Sequence, residues 1–457
     1  MLLINEIKKE NHINKMIFIY FLFIMFDGIL RKWLFPSFSS QIMIIKQVIG
    51  VIIFSCAFFT FTKSTWYEKI FFIVGIILFL TSLAFGHGNI LVALYGCIPY
   101  WFGLSLCYII SRKLSYTNFI NISKYIIYLV IPNTILIVMQ TMFPVGHILN
   151  FRGGEVRENI ADRTALELAG AFRPSGIFMS TALLGMLILI STALIFYFLL
   201  IKKDVFNRAL LIMSYVCCWV SAICAVSRSC VFYIVGITAY VVFFSNNPKI
   251  RSLFLKYSII MLILGSMTYF TPLGQKAIDN MLNRFDNASI SNVGTKRTTV
   301  YGTIYDIWNR NVVYTVDALV DPHTLDGASV PFFGYGQGMS TQVGGKLLRS
   351  KLAEKNSGFA LAEWDGLRVM CESGMILGWI VIYIRMAYTF RYLFQLMRYK
   401  RKGYYLPILL FPVFFFSFNL GFTWGNVTNA NFAFLMAGLF MATLRFEKIL
   451  AMQSRIK

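Results

Sequence analysis

The segment GIFMSTALLGMLILISTALIFYFLLI occupies residues 176–201 and contains no charged side chain. A helix needs roughly 20 mostly apolar residues to cross the hydrocarbon core of a bilayer, so this segment is long enough to span a membrane. The whole chain has the same character, since 58% of its 457 residues are hydrophobic and only 14% are charged. A soluble globular domain has about 25% charged residues, so the composition excludes an ordinary soluble enzyme and a disordered tail.

Further segments of this kind recur along the chain, and we predict about twelve transmembrane helices. They lie near residues 14–34, 41–62, 69–86, 90–110, 121–143, 176–201, 208–226, 229–245, 255–271, 372–395, 405–424 and 428–446. The predicted fold is therefore an all-α polytopic membrane protein. Residues 1–271 hold the first nine helices, with a short outer loop at 144–175. Residues 272–371 form a large outer loop, expected to fold as a small cap, and 372–457 hold the last three helices and a tail.

The formal net charge of +22 is explained by membrane orientation. Alternate loops of the predicted topology carry clusters of Lys and Arg, for example near residues 8–15, 112–113, 202–208 and 398–402. Cytoplasmic loops are enriched in these residues, so we expect both termini in the cytoplasm and the two long loops outside. A nucleic-acid-binding protein would instead gather its basic residues on one soluble face, so no nucleic-acid partner is expected.

Two arginines lie near the outer ends of predicted helices. Arg173 precedes the sixth helix in FRPSGIF (172–178), and Arg228 lies in VSRSC (226–230), between the seventh and eighth helices. Pro174 suits the first position of a helix, because the N–H that proline lacks would have no partner there. The free N–H groups that follow would form an anion site, which Arg173 would reinforce. The alternative is that both arginines extend to lipid headgroups.

The large outer loop adds a cation and aromatic rings. Arg297, Tyr301, Tyr305 and Trp308 would share one face of a helix, which combines an arginine with ring surfaces that suit sugars. The alternative is an aromatic stripe at the membrane interface. The glycines of GYGQG (334–338), later in the same loop, predict turns rather than a phosphate-binding loop.

The densest group of charged residues is AEWDGLRVMCESG (362–374), just before the predicted tenth helix. If the segment is helical, Asp365, Arg368 and Glu372 fall on one face. One interpretation is a salt-bridged start of a helix. The other is that Glu363, Asp365 or Glu372 acts as a base beside an arginine that binds phosphate.

Three further observations complete the candidate set. His323 is a second candidate base, because the ordinary pKa of histidine lies close to neutrality. Asp27 and Arg31 are one helical turn apart and are predicted to form a structural ion pair. The eight cysteines and four histidines show no metal-ligand spacing, so neither a metal nor another cofactor is expected.

The order of several motifs resembles that of the bacterial O-antigen polymerase and O-antigen ligase superfamily. These motifs are FDGILRKWLFP (26–36), IPNTILIVMQ (131–140), FRPSGIF, VSRSC, FFGYGQG (332–338) and AEWDGLRVMCESGMILG (362–378). The resemblance implies a metal-independent, GT-C-like glycosyltransferase of the bacterial inner membrane. It places Arg228 and Arg297 against the pyrophosphate of an undecaprenyl-pyrophosphate-linked oligosaccharide. The candidate substrate-binding residues are then Arg173, Arg228, Arg297, Tyr301 and Arg368.

The resemblance favours a polymerase, because ligases of the superfamily carry a histidine where this chain has Glu363 and Trp364. The expected activity is polymerisation of lipid-linked repeat units into O-antigen or a related surface polysaccharide at the periplasmic face. Membrane lipid and a chain-length regulator protein are the expected partners. Two alternatives stay open, a ligase that transfers polysaccharide to lipid A core and a flippase or exporter. Transporters usually have pseudo-symmetric halves, whereas the large outer loop lies in one half only.

Overall fold

The structure is a computed structural model, and it describes most of the predicted helical regions. The described residues are 12–144, 147–150, 167–168, 171–200, 204–244, 331–341, 365–401, 404–420 and 427–454, with a few isolated positions between them. Within these residues the regular structure is helical, apart from two short strands, β1 (Glu167–Leu168) and β2 (Ala171–Phe172), which pair antiparallel. The predicted all-α membrane architecture is confirmed at this level.

The helices of the described part are numbered here in chain order. They are α1 (His12–Ile29), α2 (Ser39–Cys56), α3 (Phe58–Thr62), α4 (Trp66–Ala84), α5 (Ile90–Ile98), α6 (Leu104–Lys113), α7 (Tyr116–Met142), α8 (Thr181–Leu200), α9 (Arg208–Cys224), α10 (Arg228–Phe244), α11 (Asp365–Ser373), α12 (Met375–Arg401), α13 (Tyr405–Leu420) and α14 (Val427–Ser454).

Five helical segments are long and apolar enough to cross a membrane. They are His12–Leu34, Trp66–Ala84, Ile90–Lys113, Tyr116–Met142 and Thr181–Leu199. Shorter apolar helices occur at Gln41–Cys56, Arg208–Cys224, Ser229–Val242 and Tyr405–Asn419. The chain is thus a membrane protein by its apolar helices, while the total of twelve spans stays a prediction. The predicted span at 255–271 lies outside the continuously described residues.

Two of the long segments contain a π-helical turn. Leu30–Leu34 extends α1, and Pro99–Gly103 joins α5 to α6. Pro99 has no N–H to donate within the helix, which favours a local change of hydrogen-bond pattern. Such π-turns are rare and occur frequently at functional sites, and both of these lie beside the charged groups described below.

Helix α8 lies in the middle of the bundle. It carries no charged residue, and nearly all of its side chains are buried. It packs against α7, α9, α10 and α13, while α14 packs against α6 and α13. A helix that is apolar on every side is stable only when it is surrounded, so α8 forms the core of the bundle. Peripheral helices instead expose apolar side chains such as Ile52, Leu80 and Tyr383, as expected for contact with lipid.

One end of the bundle gathers the polar loops, and we call it the site end. It is the end where α1, α4 and α7 finish and where α2, α5, α8 and α14 begin. Contacts across it join distant parts of the chain. A Cβ atom on Gly28 of α1 would lie 1.8 Å from the carbonyl oxygen of Ile177, which shows how closely these two backbones approach.

The predicted tenth helix, residues 372–395, begins differently in the structure. Helix α11 ends at Ser373, and Gly374 has a φ of +81°. This left-handed conformation suits glycine and ends a helix. The separate helix α12 then starts at Met375, whose N–H donates to the carbonyl oxygen of Phe332 at 3.2 Å. Residues 365–373 are helical, which is the condition under which Asp365, Arg368 and Glu372 were expected to share one face.

Candidate functional site

Asp27 lies near the end of α1, between two cations. Its Oδ1 is 2.8 Å from Nζ of Lys46, and its Oδ2 is 3.4 Å from Nη1 of Arg31. The hydroxyl of Thr428, at the beginning of α14, donates to Oδ2 at 3.2 Å. All four side chains are buried. The predicted pair of Asp27 with Arg31 is confirmed, and Lys46 gives the cluster one more positive than negative charge.

The loop between β2 and α8 packs on the end of α1. The buried Lys32 donates from Nζ to the hydroxyl of Ser175 and to the carbonyl oxygen of Gly176, both at 3.0 Å. From α7, the Asn133 Oδ1 accepts the N–H of Ile177 at 2.9 Å. Three of the sequence motifs quoted above, at residues 26–36, 131–140 and 172–178, therefore meet at the site end.

The predicted helix start at Pro174 is wrong, because α8 begins only at Thr181. Gly176 has a φ of +61°, which no α-helix contains. Its N–H donates to Oε1 of Gln140 at 2.9 Å, so the amide is already occupied. The anion site expected at free amides next to Arg173 is therefore absent from this loop, although the arginine itself is at the site end.

Arg173 lies close to the beginning of α10. Its half-buried side chain interacts electrostatically with the thiol of Cys230. Arg228 is the first residue of the same helix. The fold thus brings together two chain positions that the sequence predicted as anion-binding arginines, 55 residues apart by their numbers. The side chain of Arg228 lies outside the described part of the structure.

Glu372 is a buried carboxylate on α11, with 6% of its surface exposed. Ser340 donates to its Oε1 twice, from the backbone N–H at 2.9 Å and from the hydroxyl. Burial raises the pKa of the Glu372 carboxyl above its ordinary value, while the bonds from Ser340 and the charge of Arg368 act in the opposite direction. Within the described residues Glu372 forms no ion pair. Its carboxylate is therefore held by neutral donors.

Arg368 precedes Glu372 by one helical turn on α11. Its Nε and Nη1 atoms are buried, and in the described part of the chain neither makes a hydrogen bond. Buried guanidinium N–H groups without acceptors are costly, and an anionic ligand would satisfy them. The prediction that Arg368 and Glu372 share a helical face is confirmed by α11.

The Gly-rich segment at residues 332–338 holds Ser340 near Glu372. Gly334, Gly336 and Gly338 have φ values of +76°, +103° and +84°, so the predicted turns are confirmed. The last of these glycines packs so closely that a Cβ atom on it would lie 2.3 Å from the carbonyl oxygen of Val92 in α5. A larger residue would push the turn away from the bundle.

A narrow cavity lies beside Glu372. Its polar lining residues are Gln47, Tyr95, Tyr100, Thr341 and Glu372. Gln47 directly follows Lys46 in α2, and Ala430, which also lines the cavity, is close in the chain to Thr428. The cavity is therefore lined by Glu372 and by residues close in the chain to members of the Asp27 cluster, and its amide and hydroxyl groups suit polar contacts.

The described residues of the site end carry more cations than carboxylates. The cations are Arg31, Lys32, Lys46, Arg173 and Arg368, and the carboxylates are Asp27 and Glu372. All are buried or half-buried where they are described. Such a surplus of positive charge favours an anionic ligand, and arginine in particular suits phosphate oxygens. Glu372 could accept a proton from a hydroxyl group beside that anion.

Several predicted site residues cannot be placed. Glu363, Arg297, Tyr301 and His323 lie outside the described residues, as does the side chain of Asp365. Their assignments stay predictions. In the part of the chain that is described, no group of three or more His, Cys, Asp or Glu side chains could hold a metal ion.

Two charged residues inside apolar segments gain an explanation from the structure. Sequence reasoning did not identify Lys46 as part of the site. Its position in the middle of an otherwise apolar helix was the available signal, because charged residues there are usually functional or paired. Arg385 in α12 had no interpretation from sequence. Its Nη2 donates to the carbonyl oxygens of Phe418 at 2.7 Å and Asn419 at 2.6 Å, so it stabilises the negative end of α13.

Comparison with known proteins identifies no relative. No family model, no curated protein and no solved structure matches the chain. What the site end does must therefore be inferred from its own residues and their geometry.

Proposed function

We propose that the protein is a bacterial inner-membrane glycosyltransferase that polymerises undecaprenyl-pyrophosphate-linked oligosaccharide repeat units. Its product would be O-antigen or a related surface polysaccharide. In this proposal the chain crosses the membrane about twelve times in a GT-C-like arrangement. Both termini lie in the cytoplasm, and the site end faces the periplasm.

The observation that supports this proposal most is a buried carboxylate among surplus cations at one end of an apolar helix bundle. A lipid-linked pyrophosphate lies at headgroup level, which is where the ends of membrane helices lie. Arg173, Lys32 and Arg368 offer positive charge to such a group. Glu372, oriented by Ser340, offers a proton acceptor next to it.

The reaction requires one bond to form and one to break. A hydroxyl oxygen of the acceptor sugar attacks the anomeric carbon of the donor saccharide. The bond from that carbon to the pyrophosphate oxygen breaks, and undecaprenyl pyrophosphate leaves with the electron pair. Glu372 accepts the proton of the attacking hydroxyl, and the arginines stabilise the negative charge of the leaving group. Arg228 and Arg297 are further candidates for this role, and no metal or cofactor takes part.

The proposal is tested with purified protein in lipid nanodiscs and a chemically defined undecaprenyl-pyrophosphate-linked repeat unit. We expect lipid-linked products of two or more repeats, resolved by gel electrophoresis and mass spectrometry. A ligase would need lipid A core as acceptor and would not lengthen the lipid-linked chain. A flippase or exporter would move the substrate between leaflets and leave its length unchanged.

A pair of matched arginine variants tests the role of the site end. Arg173→Ala removes a positive charge from the proposed pyrophosphate site, and we expect the elongation rate to fall about tenfold or more. Arg112→Ala removes an exposed arginine at the other end of the bundle, whose guanidinium lies over the ring of Tyr108. The second variant should elongate at the wild-type rate. Single repeat units as the sole product of the wild-type protein would contradict the proposed function.

A further inference from the structure

Gln337, in the Gly-rich segment, is completely buried and is bound from three directions. Its backbone N–H donates to the hydroxyl of Ser82 at 2.8 Å. Its carbonyl oxygen is 3.0 Å from Nε2 of His87. Its side-chain Nε2 donates to the hydroxyl of Ser373 at 2.8 Å. One residue of the turn is thus tied both to the α4–α5 connection and to the end of α11.

The role of His87 in this arrangement follows from its two ring nitrogens. A carbonyl oxygen can only accept a hydrogen bond, so Nε2 must carry the proton that it donates to Gln337. The other nitrogen, Nδ1, accepts the backbone N–H of Asn89 at 3.0 Å. His87 therefore bridges Asn89, the residue that caps the beginning of α5, and the Gly-rich segment, and its neutral form fits both contacts. Gly336 gives it room, because a Cβ atom there would lie 2.7 Å from Cδ2 of the ring.

The chain reaches the Glu372 carboxylate within three residues of Gln337. Ser340, which donates both hydrogen bonds to Glu372, follows Gln337 by three residues. On the other side, Ser373 follows Glu372 in the chain. The N–H of Gly336 also donates to the backbone carbonyl oxygen of Glu372 at 3.1 Å. The position of Gln337 thus sets where Ser340 meets the carboxylate.

We propose that Ser82, His87 and Gln337 form a clasp that positions Ser340 against the Glu372 carboxylate. They are positioning residues, because they reach the carboxylate only through Ser340 and the backbone of α11. The clasp fixes the carboxylate relative to α5, whose Tyr95 lines the same cavity as Glu372. Its catalytic consequence rests on the proposed function, whereas its geometry can be tested without any substrate.

The first test measures hydrogen exchange of the backbone amides in nanodiscs. The N–H of Gln337 is bound within the clasp, by Ser82, and the N–H of Ser340 is bound by the Glu372 carboxylate that the clasp positions, so the two amides report on the clasp and on its effect. His87→Leu removes the donor to Gln337, and we expect exchange of peptides covering residues 334–341 to quicken about tenfold. His87→Gln can place an amide N–H near the same carbonyl oxygen and should exchange like the wild type.

A second variant and a matched control keep this test decisive even if one variant does not fold. Ser82→Ala removes the acceptor of the Gln337 N–H with little change in volume, and it should act like His87→Leu. His147→Leu is the control, since its Nδ1 also accepts a backbone N–H, from Leu149 at 3.3 Å, but it does not contact the clasp. Unchanged exchange in both His87→Leu and Ser82→Ala would overturn the proposal.

The second test measures elongation kinetics on the same variants. Small displacements of a catalytic group cost about 10- to 100-fold in rate, so we expect kcat of His87→Leu to fall by that amount. KM for the lipid-linked donor should stay within about twofold, because the clasp does not bind the pyrophosphate. His87→Gln should recover most of kcat. A loss that appears in KM, or a His87→Gln variant as slow as His87→Leu, would overturn the positioning role.

The two tests separate this proposal from the proposed function. If the wild-type protein does not elongate any lipid-linked saccharide, the proposed function fails, and the exchange experiment still decides whether the clasp exists. If the wild type elongates and His87→Leu does so equally fast, the proposed function stands and the clasp fails as a positioning device.

Discussion

Asp27 and Glu372 are both buried carboxylates at the site end, but their surroundings differ. Asp27 contacts Lys46 at 2.8 Å and Arg31 at 3.4 Å, and both partners are buried with it. Glu372 accepts its hydrogen bonds from the neutral groups of Ser340. The charge of Asp27 is therefore compensated by two cations, whereas Glu372 has only neutral donors among the described residues, and burial raises the pKa of its carboxyl. The comparison therefore gives Asp27 a structural role and Glu372 the role of proton acceptor in the proposed reaction.

A third buried carboxylate shows that hydrogen bonds from neutral donors do not by themselves identify a catalytic site. Glu68, near the beginning of α4, accepts a hydrogen bond from the hydroxyl of Tyr388 at 2.6 Å and another from Thr65. It lies at the opposite end of the bundle from Glu372, since Ser82, near the other end of the same helix, belongs to the clasp. Glu68 therefore serves as a control for Glu372, alike in burial and donors but distant from the surplus cations.

The largest expected effect is that of Glu372→Gln on elongation. The amide keeps the size of the side chain and can still accept a bond from Ser340, but it cannot take a proton at neutral pH. General bases contribute about 10²- to 10⁴-fold to a rate, so we expect a loss of that size in nanodiscs with the lipid-linked repeat unit. The amount of folded protein, measured by size-exclusion chromatography, should be unchanged.

Glu68→Gln is the matched control for this prediction. It makes the same chemical change to a buried carboxylate with a hydroxyl donor, so we expect its elongation rate to stay near that of the wild type. Equal losses in the two variants would mean that the effect comes from burial of a carboxylate in general. The difference drawn between Glu372 and the other carboxylates would then be wrong.

The next effect in size concerns stability and Asp27. Asp27→Asn leaves Lys46 and Arg31 buried without a counter-charge among the described residues. Removing one partner of a buried ion pair costs about 3–5 kcal/mol, so we expect a clear fall in the thermal unfolding midpoint in detergent. The double variant Asp27→Asn, Lys46→Met removes one stranded cation and should recover part of the loss.

The comparison predicts opposite rankings for the two carboxylates. Asp27→Asn should lower stability more than Glu372→Gln does, while Glu372→Gln should lower the rate per folded molecule more than Asp27→Asn does. If Asp27→Asn stopped elongation without changing the unfolding midpoint, Asp27 would take part in the reaction itself. The roles given to the two carboxylates would then be reversed.

How much of this could be predicted from sequence depends on whether the deciding contact is local. The pair of Asp27 with Arg31 and the shared face of Arg368 with Glu372 follow from four-residue spacing on a helix, and both are confirmed. The turns at GYGQG follow from the conformational freedom of glycine. These features involve residues that are close in the chain.

The features that sequence missed depend on contacts between distant segments. Lys46 joins Asp27 only because α1 and α2 pack side by side. The helix expected at Pro174 fails because Gln140, from another helix, binds the N–H of Gly176. The spacing of residues within one segment does not reveal contacts between different segments. The clasp was missed for the same reason, since Ser82 and Gln337 are far apart in the chain.

The smallest effect, and the most direct probe of Glu372, is a shift of the pH profile in Ser340→Ala. The hydroxyl of Ser340 lowers the pKa of Glu372 against the larger effect of burial, which raises it. Removing that hydroxyl therefore raises the pKa of Glu372 further. Because a base acts in its charged form, the acidic limb of the kcat/KM profile should move to higher pH, as measured by elongation assays across a pH series.

A neighbouring group and two control variants help to assign the shift of the pH profile to Glu372. Burial raises the pKa of the Cys371 thiol to about 12, so this neighbouring thiol does not titrate in the range of the acidic limb. Ser340→Thr keeps a hydroxyl and should keep the wild-type profile. Asp27→Asn should also leave the acidic limb in place, because Asp27 is held by its own ion pairs. A profile that moved with Asp27→Asn and not with Ser340→Ala would identify Asp27 as the titrating base and Glu372 as its structural counterpart.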